Sequence, residues 1–270
     1  MNYLAVDTAS ESLKVLVSYN GSYGYFQCND FTAASVRLMP EVDRLLRSFN
    51  AKISDMDMFA CVTGPGSFTG IRIGMATIKA LAYVCGKPAV GVTALELLAY
   101  TTKGEDPTVA VCDAANGMRY VAVYDGKMRE LLSPKALSAS ELKDFLAEIE
   151  EPYALVADSR TAGEIHAACP EDFRDAFAAA VEAHASEAED AGLLQPLYIR
   201  KPQAERDLEE TNGQAGDWLG CGRSRAHNAR MRRSRLDGRT GAFVLRFRKY
   251  GYLCLRRRQS SRLRHSGKRA

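Results

Sequence analysis

Two short stretches carry residue types and spacings that could do chemistry. The first is Cys61-Val62-Thr63-Gly64-Pro65-Gly66-Ser67-Phe68-Thr69-Gly70. An apolar strand runs there into a Gly-Pro-Gly turn and then straight into a helix. Gly64 and Gly66 permit positive φ and close backbone approach, and Pro65 fixes φ between them. Ser67 or Thr69 supplies a side-chain oxygen to the first free helical N–H groups. A Gly-rich turn at a helix N-terminus can hold an anion, because N–H groups and the positive end of the dipole converge there. The same residues equally make a tight strand-to-helix turn. The loop has neither the Lys-Ser/Thr ending of a P-loop nor GxGxxG spacing.

The second stretch is Asp7-Thr8-Ala9-Ser10, at the end of the N-terminal strand. Asp7, Thr8 and Ser10 are the candidate nucleotide or phosphate contacts. Asp7 has two roles open to it, a water-mediated metal contact or an Asx turn. Ser10 and Ser12 read as turn residues, since the first histidine is His166. The histidines, His166, His184, His227 and His265, show neither HExxH nor HxxxH spacing. A zinc peptidase therefore has no ligands, and no metal site is expected.

The elements that must position these residues read off in order. Asn2–Thr8, the alternating run from Leu13, and Tyr23–Gln27 after an Asn20-Gly21 turn form a three-stranded antiparallel meander. Ser35–Phe49 has Leu38, Met39, Val42, Leu45, Leu46 and Phe49 at helical spacing, with Pro40 early in the helix. The strand Met58–Val62, the glycine loop and a long helix to Cys85 follow. Gly70 and Gly74 lie four apart beside Ala76 and Ala80. Each Gly costs about 1 kcal/mol in a helix relative to Ala, which points to packing or function. A strand Ala89–Val92 and a helix capped by Thr93 end the first unit. Beyond a polar linker come strands Thr108–Cys112, Tyr120–Tyr124 and Met128–Leu132. A capping box at Ser138 and Glu141 starts a helix to Ile149. Strand Tyr153–Ala157, helices near 161–168 and 173–188, and an apolar strand or turn over Leu194–Pro202 complete the body.

Length allows one large or two smaller domains. No run of 18 apolar residues appears, so no membrane helix is expected, and Met1–Asp7 has no signal-peptide pattern. Seven scattered cysteines without CxxC spacing suit buried thiols in a reducing cytoplasm. Residues 1–207 carry 19 Lys and Arg against 29 Asp and Glu, a net of −10; residues 208–270 carry 17 against 4, a net of +13. Three readings of that Arg-rich tail stay open: an RNA-binding arm, a solvated extension, or translation out of frame from near residue 208.

The chain resembles the TsaB/YeaZ family of bacterial tRNA threonylcarbamoyladenosine biosynthesis proteins. Three runs carry the resemblance: Leu4-Ala5-Val6-Asp7-Thr8-Ala9, Gly64-Pro65-Gly66-Ser67-Phe68-Thr69-Gly70-Ile71-Arg72-Ile73-Gly74, and Gln195-Pro196-Leu197-Tyr198-Ile199-Arg200-Lys201-Pro202-Gln203-Ala204-Glu205. The likeness implies an α/β, actin-like (ribonuclease H-like) fold of duplicated lobes, with mixed sheets flanked by helices. The lobes would be residues 1–103 and 104–207, with 208–270 outside them. It implies a non-catalytic, cytoplasmic partner in N6-threonylcarbamoylation of adenosine 37 in tRNAs that read ANN codons. Such a protein pairs with the catalytic homologue TsaD, is joined by TsaE, and forms a homodimer without TsaD. Threonylcarbamoyl-adenylate made by TsaC, and tRNA, would be met only indirectly. The catalytic relatives hold a metal through HxxxH, which is missing here. No intrinsic cofactor is implied, and ATP or ADP would sit only at the complex interface. Helices 35–49 and 69–85 would make the contact, through Leu38, Val42, Leu45, Gly70, Arg72, Gly74, Ile78 and Leu81. Arg72 is otherwise an ordinary exposed arginine. Ser35 stands where many relatives have a His-Ser pair. An ATP-dependent phosphotransferase of the same fold is the alternative, with Asp7 as its carboxylate.

Overall fold

Strand β1 (Tyr3–Asp7) is buried along its whole length. The computed structural model in which it is seen describes residues 1–29, 34–102 and 104–200, and the backbone of 246–247 and 251–252. Apart from a short ladder between Arg246–Phe247 and Gly251–Tyr252, the 208–270 tail lies outside the described residues. On one side β1 pairs antiparallel with β2 (Leu13–Tyr19), and on the other it runs parallel to β4 (Met58–Gly64). Asn20 and Gly21, at φ 49° and 79°, supply the left-handed pair that a two-residue hairpin needs before β3 (Ser22–Cys28). With β5 (Ala89–Thr93) the order is β3-β2-β1-β4-β5.

The second sheet repeats the plan. Strands β6 (Thr108–Asp113), β7 (Met118–Tyr124) and β8 (Glu130–Ser138) are antiparallel, and β9 (Ala154–Ala157) runs parallel to β6. The order β8-β7-β6-β9 matches β3-β2-β1-β4. The expected third strand, Met128–Leu132, is displaced. Asp125 accepts the N–H groups of Lys127 and Arg129, both at 2.9 Å, and Met128 takes φ 60° within that turn. The strand starts after it and runs on past Pro134, which an edge strand tolerates because its N–H need not pair.

Helices α1 (Ala34–Ser48, with Pro40 inside it) and α2 (Phe68–Cys85) share one face of the first sheet. Gly74 of α2 sits against Val6, and Leu45 of α1 against Gly24. Gly24 pairs with Val17 and Val17 with Leu4, and Leu4 and Val6 point the same way. Helix α6 (Arg174–Ala183) takes the opposite face, where the Tyr3 and Tyr23 hydroxyls donate to Glu182 at 3.2 and 2.6 Å. Over the second sheet, α4 (Ala139–Glu148) and α5 (Ser159–Ile165) cover Val109, Val111, Val121 and Val123. Between the sheets lies α3 (Ala94–Ala99), buried at all six positions. A helix with no solvent face has to be apolar all round, and its one charged residue, Glu96, needs a partner.

That partner is His184, whose Nε2 lies 2.6 Å from Glu96 Oε1, while Nδ1 faces Glu187 at 3.0 Å. The hydrogen bond to Glu96 and its charge raise the imidazole to about 9, against the opposing effect of burial. A raised pKa stabilises the fold fully below the ordinary value near 6.5, and the stabilisation fades as pH rises through about 9. Melting temperatures of the native chain and of His184→Gln should therefore differ most near pH 6 and converge above pH 9. A gap independent of pH would show that the ion pair does not tie α6 to α3.

Candidate functional site

The glycine loop and the β1 turn are packed on each other. Gly64, at φ 115°, ends β4, and Ser67 caps α2 by accepting the Gly70 N–H at 3.1 Å. Thr69 is exposed and caps nothing. Ser67 N–H donates to the Ala9 carbonyl at 2.8 Å, and the Thr8 hydroxyl to the Gly70 carbonyl at 2.6 Å. A Cβ on Gly66 would overlap the Ala9 carbonyl oxygen, one on Gly70 the Thr8 carbonyl oxygen, and one on Gly74 the Thr8 hydroxyl. On that side the loop is closed by the chain's own backbone, while Pro65, Gly66 and Ser67 also line the cleft beside it.

Asp7 is equally committed. Its Oδ1 accepts from Ala9 and Ser10 N–H at 2.9 and 3.0 Å, closing the Asx turn. Its Oδ2 pairs with Lys14 Nζ at 2.9 Å, and both side chains are all but inaccessible. The ammonium also lies 4.5 Å from the centre of the Phe173 ring.

Beside this floor opens a cleft of about 420 Å³ between the two sheets. Its walls are mostly apolar, with Phe68, Ile71, Leu97, Leu98 and Tyr120 prominent. The acids at its edge already hold structure. Glu11 accepts from Ser159 N–H and hydroxyl, and Asp158 from the N–H groups of Asp113 and Thr161. Burial pushes the Asp158 carboxyl above the usual range. Asp113 pairs with Arg119 at 3.2 Å and Arg160 at 3.8 Å, and Arg119 also pairs with Glu164. Among the described residues, no three His, Cys, Asp or Glu side chains converge as a metal site.

The described part of the closing run, through Arg200, is neither strand nor free turn, and residues 201–205 lie outside the described residues. Leu197 N–H donates to the Thr63 carbonyl at 2.9 Å, and Arg200 donates to the carbonyls of Ala114 and Ala115 at 2.7 and 3.2 Å. It is a strap that ties the end of β4 to the β6–β7 turn. That turn holds Ala115, Asn116 and Gly117 at φ 56°, 53° and 71°. For alanine the left-handed region costs roughly 1–2 kcal/mol. Tyr198 stacks on Phe68 with ring centres 4.7 Å apart, and Arg72 lies over the other part of that clasp, 3.9 Å from the Phe68 centre. The sequence reading missed this clasp. Its only signal was an aromatic in each of two motif runs.

The proposed contact residues need correction. Leu38, Val42, Leu45 and Ile78 are core side chains, exposed by 4% or less. Gly70 and Gly74 are buried against Thr8, and Leu81 is half-buried. Of the eight, Arg72 alone is exposed. The strongest apolar spacing on each helix marks the side facing its own sheet, so these residues are packed inside the chain. What faces outward on α2 is Arg72, Ala76, Ala80, Tyr83 and Val84, the last two 88% and 81% exposed. On α1 Val36 and Met39 face outward. Apolar residues on both faces make α2 long and apolar enough, by composition, to cross a membrane, with mean hydropathy 1.2. Arg72 and Lys79 interrupt it.

A family model described as "TsaD: tRNA N6-adenosine threonylcarbamoyltransferase" matches residues 32–169. The chain is 28% identical over 161 residues to the tRNA threonylcarbamoyladenosine biosynthesis protein TsaB of Bacillus subtilis, covering 56% of this chain and 69% of that one. To TsaB of Escherichia coli it is 32% identical over 128 residues, covering 46% of this chain and just over half, 55%, of the relative. The solved YeaZ of Pseudomonas aeruginosa superposes with a TM-score of 0.59 at 23% identity, over 73% of this chain and 99% of that one. With the repeated sheet plan, these make the fold actin-like and ribonuclease H-like.

Removing one member of a buried ion pair costs about 3–5 kcal/mol, because the other charge is stranded. Asp7→Ala should lose stability on that scale in urea unfolding. Asp7→Ala combined with Lys14→Met should lose clearly less than the two single losses added. Additive losses would show that the pair does not hold the floor of the cleft.

Proposed function

From the premise that the chain belongs to the family of the tRNA N6-adenosine threonylcarbamoyltransferase model, as a TsaB/YeaZ-type member, we propose that it serves tRNA threonylcarbamoyladenosine biosynthesis as a partner subunit without chemistry of its own. The relatives in Bacillus subtilis and Escherichia coli carry that pathway in their names. The reaction, modification of adenosine 37 in tRNAs reading ANN codons, then takes place on a paired TsaD-like homologue. TsaE joins that pair, nucleotide sits only at the interface of the complex, and tRNA is met indirectly. Without the homologue the same surface pairs two copies of this chain. The cytoplasm is the compartment where such substrates meet.

One observation carries this reading. Helix α2 is packed inward through its glycines and shows a second, exposed stripe of Ala76, Ala80, Tyr83 and Val84, which no element among the described residues covers. Small residues at four-residue spacing let another helix come close, and exposed Tyr and Val supply apolar area. Val36 and Met39 of α1 are also exposed, on the helix that shares this face of the sheet. The cleft offers less: its glycine loop is packed against Ala9 on one side, and Asp7, the phosphotransferase candidate, is neutralised by Lys14.

Ala76→Arg would place a guanidinium in the middle of the stripe while leaving the exposed site free to solvate it in the single chain. Titration of the TsaD-like homologue from the same organism should show affinity at least about 100-fold weaker, equivalent to about 2.7 kcal/mol. The melting temperature of the free variant should stay within about 2 °C of the native chain. Native affinity for the variant would place pairing elsewhere.

A further inference from the structure

Arg72 sits at the N-terminal end of the outward stripe of α2, in line with Ala76, Ala80 and Tyr83. Spacings of four, four and three residues keep these side chains on one helical face. The guanidinium is held rather than free to swing. Its carbon lies 3.9 Å from the Phe68 ring centre, and its Nε donates to the Tyr198 hydroxyl at 3.3 Å. Tyr198 in turn stacks on Phe68. Arginines 37, 44 and 47 on α1 each pair with a carboxylate. Arg72 forms no ion pair with any carboxylate among the described residues, although it is exposed. Among the described residues nothing hydrogen-bonds its edge beyond Nε, while the side chain is already ordered. An ordered guanidinium loses little further freedom on meeting a carboxylate, and its fork matches the two oxygens.

We propose that the Phe68–Tyr198 clasp presents Arg72 to an aspartate or glutamate on the helix that packs along the α2 stripe, so that the closing strap forms part of the partner surface. The inference rests on the pairing reading above and gives that partner its chemistry: an apolar helix face ending in an acid. A carboxylate suits the site better than an RNA phosphate. Binding to a nucleic-acid backbone spreads over several cations, whereas the nearest other cation on α2, Lys79, is half-buried and donates to the Gly192 carbonyl at 3.2 Å. The clasp also explains why Tyr198 belongs to the strap: it joins a cleft wall to the outward face of α2.

The test titrates the TsaD-like homologue, and in parallel tRNA, against the full chain and against Arg72→Met, Arg72→Lys and Tyr198→Phe, each at 50 and 300 mM salt. Arg72→Met should bind about tenfold more weakly at low salt and lose most of the salt dependence of the native pair. Arg72→Lys should recover little, because an ammonium lacks the planar fork. Tyr198→Phe keeps the ring stack but drops the hydroxyl acceptor, so a few-fold weakening with an unchanged melting temperature is expected. Native binding by Arg72→Met, alongside lost binding by Ala76→Arg, overturns the acidic anchor and leaves the pairing reading standing. Native binding by both overturns the pairing surface itself. Weaker binding with an unaltered salt dependence overturns the carboxylate, since only packing would have been lost. Weaker binding to tRNA with native binding to the homologue overturns it in favour of phosphate.

Discussion

The fold depends on how closely the first turn of α2 approaches the end of β1. Gly66, Gly70 and Gly74 have no side chain because Ala9 and Thr8 occupy that space. The contact is sealed by two short hydrogen bonds, Ser67 N–H to Ala9 and Thr8 hydroxyl to Gly70. Everything nearby follows from it. The Asp7 turn is held rigid and its charge is met by Lys14. The helix is rotated so that Ile71, Met75 and Ile78 enter the core, which leaves the opposite stripe to solvent. The glycine loop sets the rotation of the helix that follows it.

The two sheets share one plan but have different work. The first is covered on both faces and displays α1 and α2. The second is tied to it by α3, by the Glu96–His184 pair, and by the strap whose Arg200 reaches the β6–β7 turn. The cleft between them is walled mostly by apolar side chains, and its acids hold helix α5, the end of β6 and two arginines. Such a body suits a rigid mount for a surface.

Much of the fold was legible in the sequence wherever a local rule decided it. The Asn20-Gly21 turn placed the meander, and Ser67, Thr93 and Ser138 cap the helices expected of them. Local rules failed where distant chain intervened. Strand β8 was misplaced because the Asp125 turn took Met128 out of it. The glycines of α2 pointed to packing or function, but spacing alone cannot say whether a backbone that packs on them belongs to the same chain. Here it comes from Thr8, 62 residues from Gly70. The clasp of Arg72, Phe68 and Tyr198 joins positions 126 residues apart, and no periodicity links them.

Equilibrium unfolding of Gly70→Ala and Gly74→Ala, run beside titration of the TsaD-like homologue, tests the central claim most directly. If the glycine face is locked to the chain's own first strand, each methyl group is forced into Thr8. Each variant should then lose about 1–3 kcal/mol or fail to fold, with any loss of pairing following the loss of structure. Variants that unfold like the native chain yet no longer pair would contradict the account, because the glycine face would then be the surface that meets the partner.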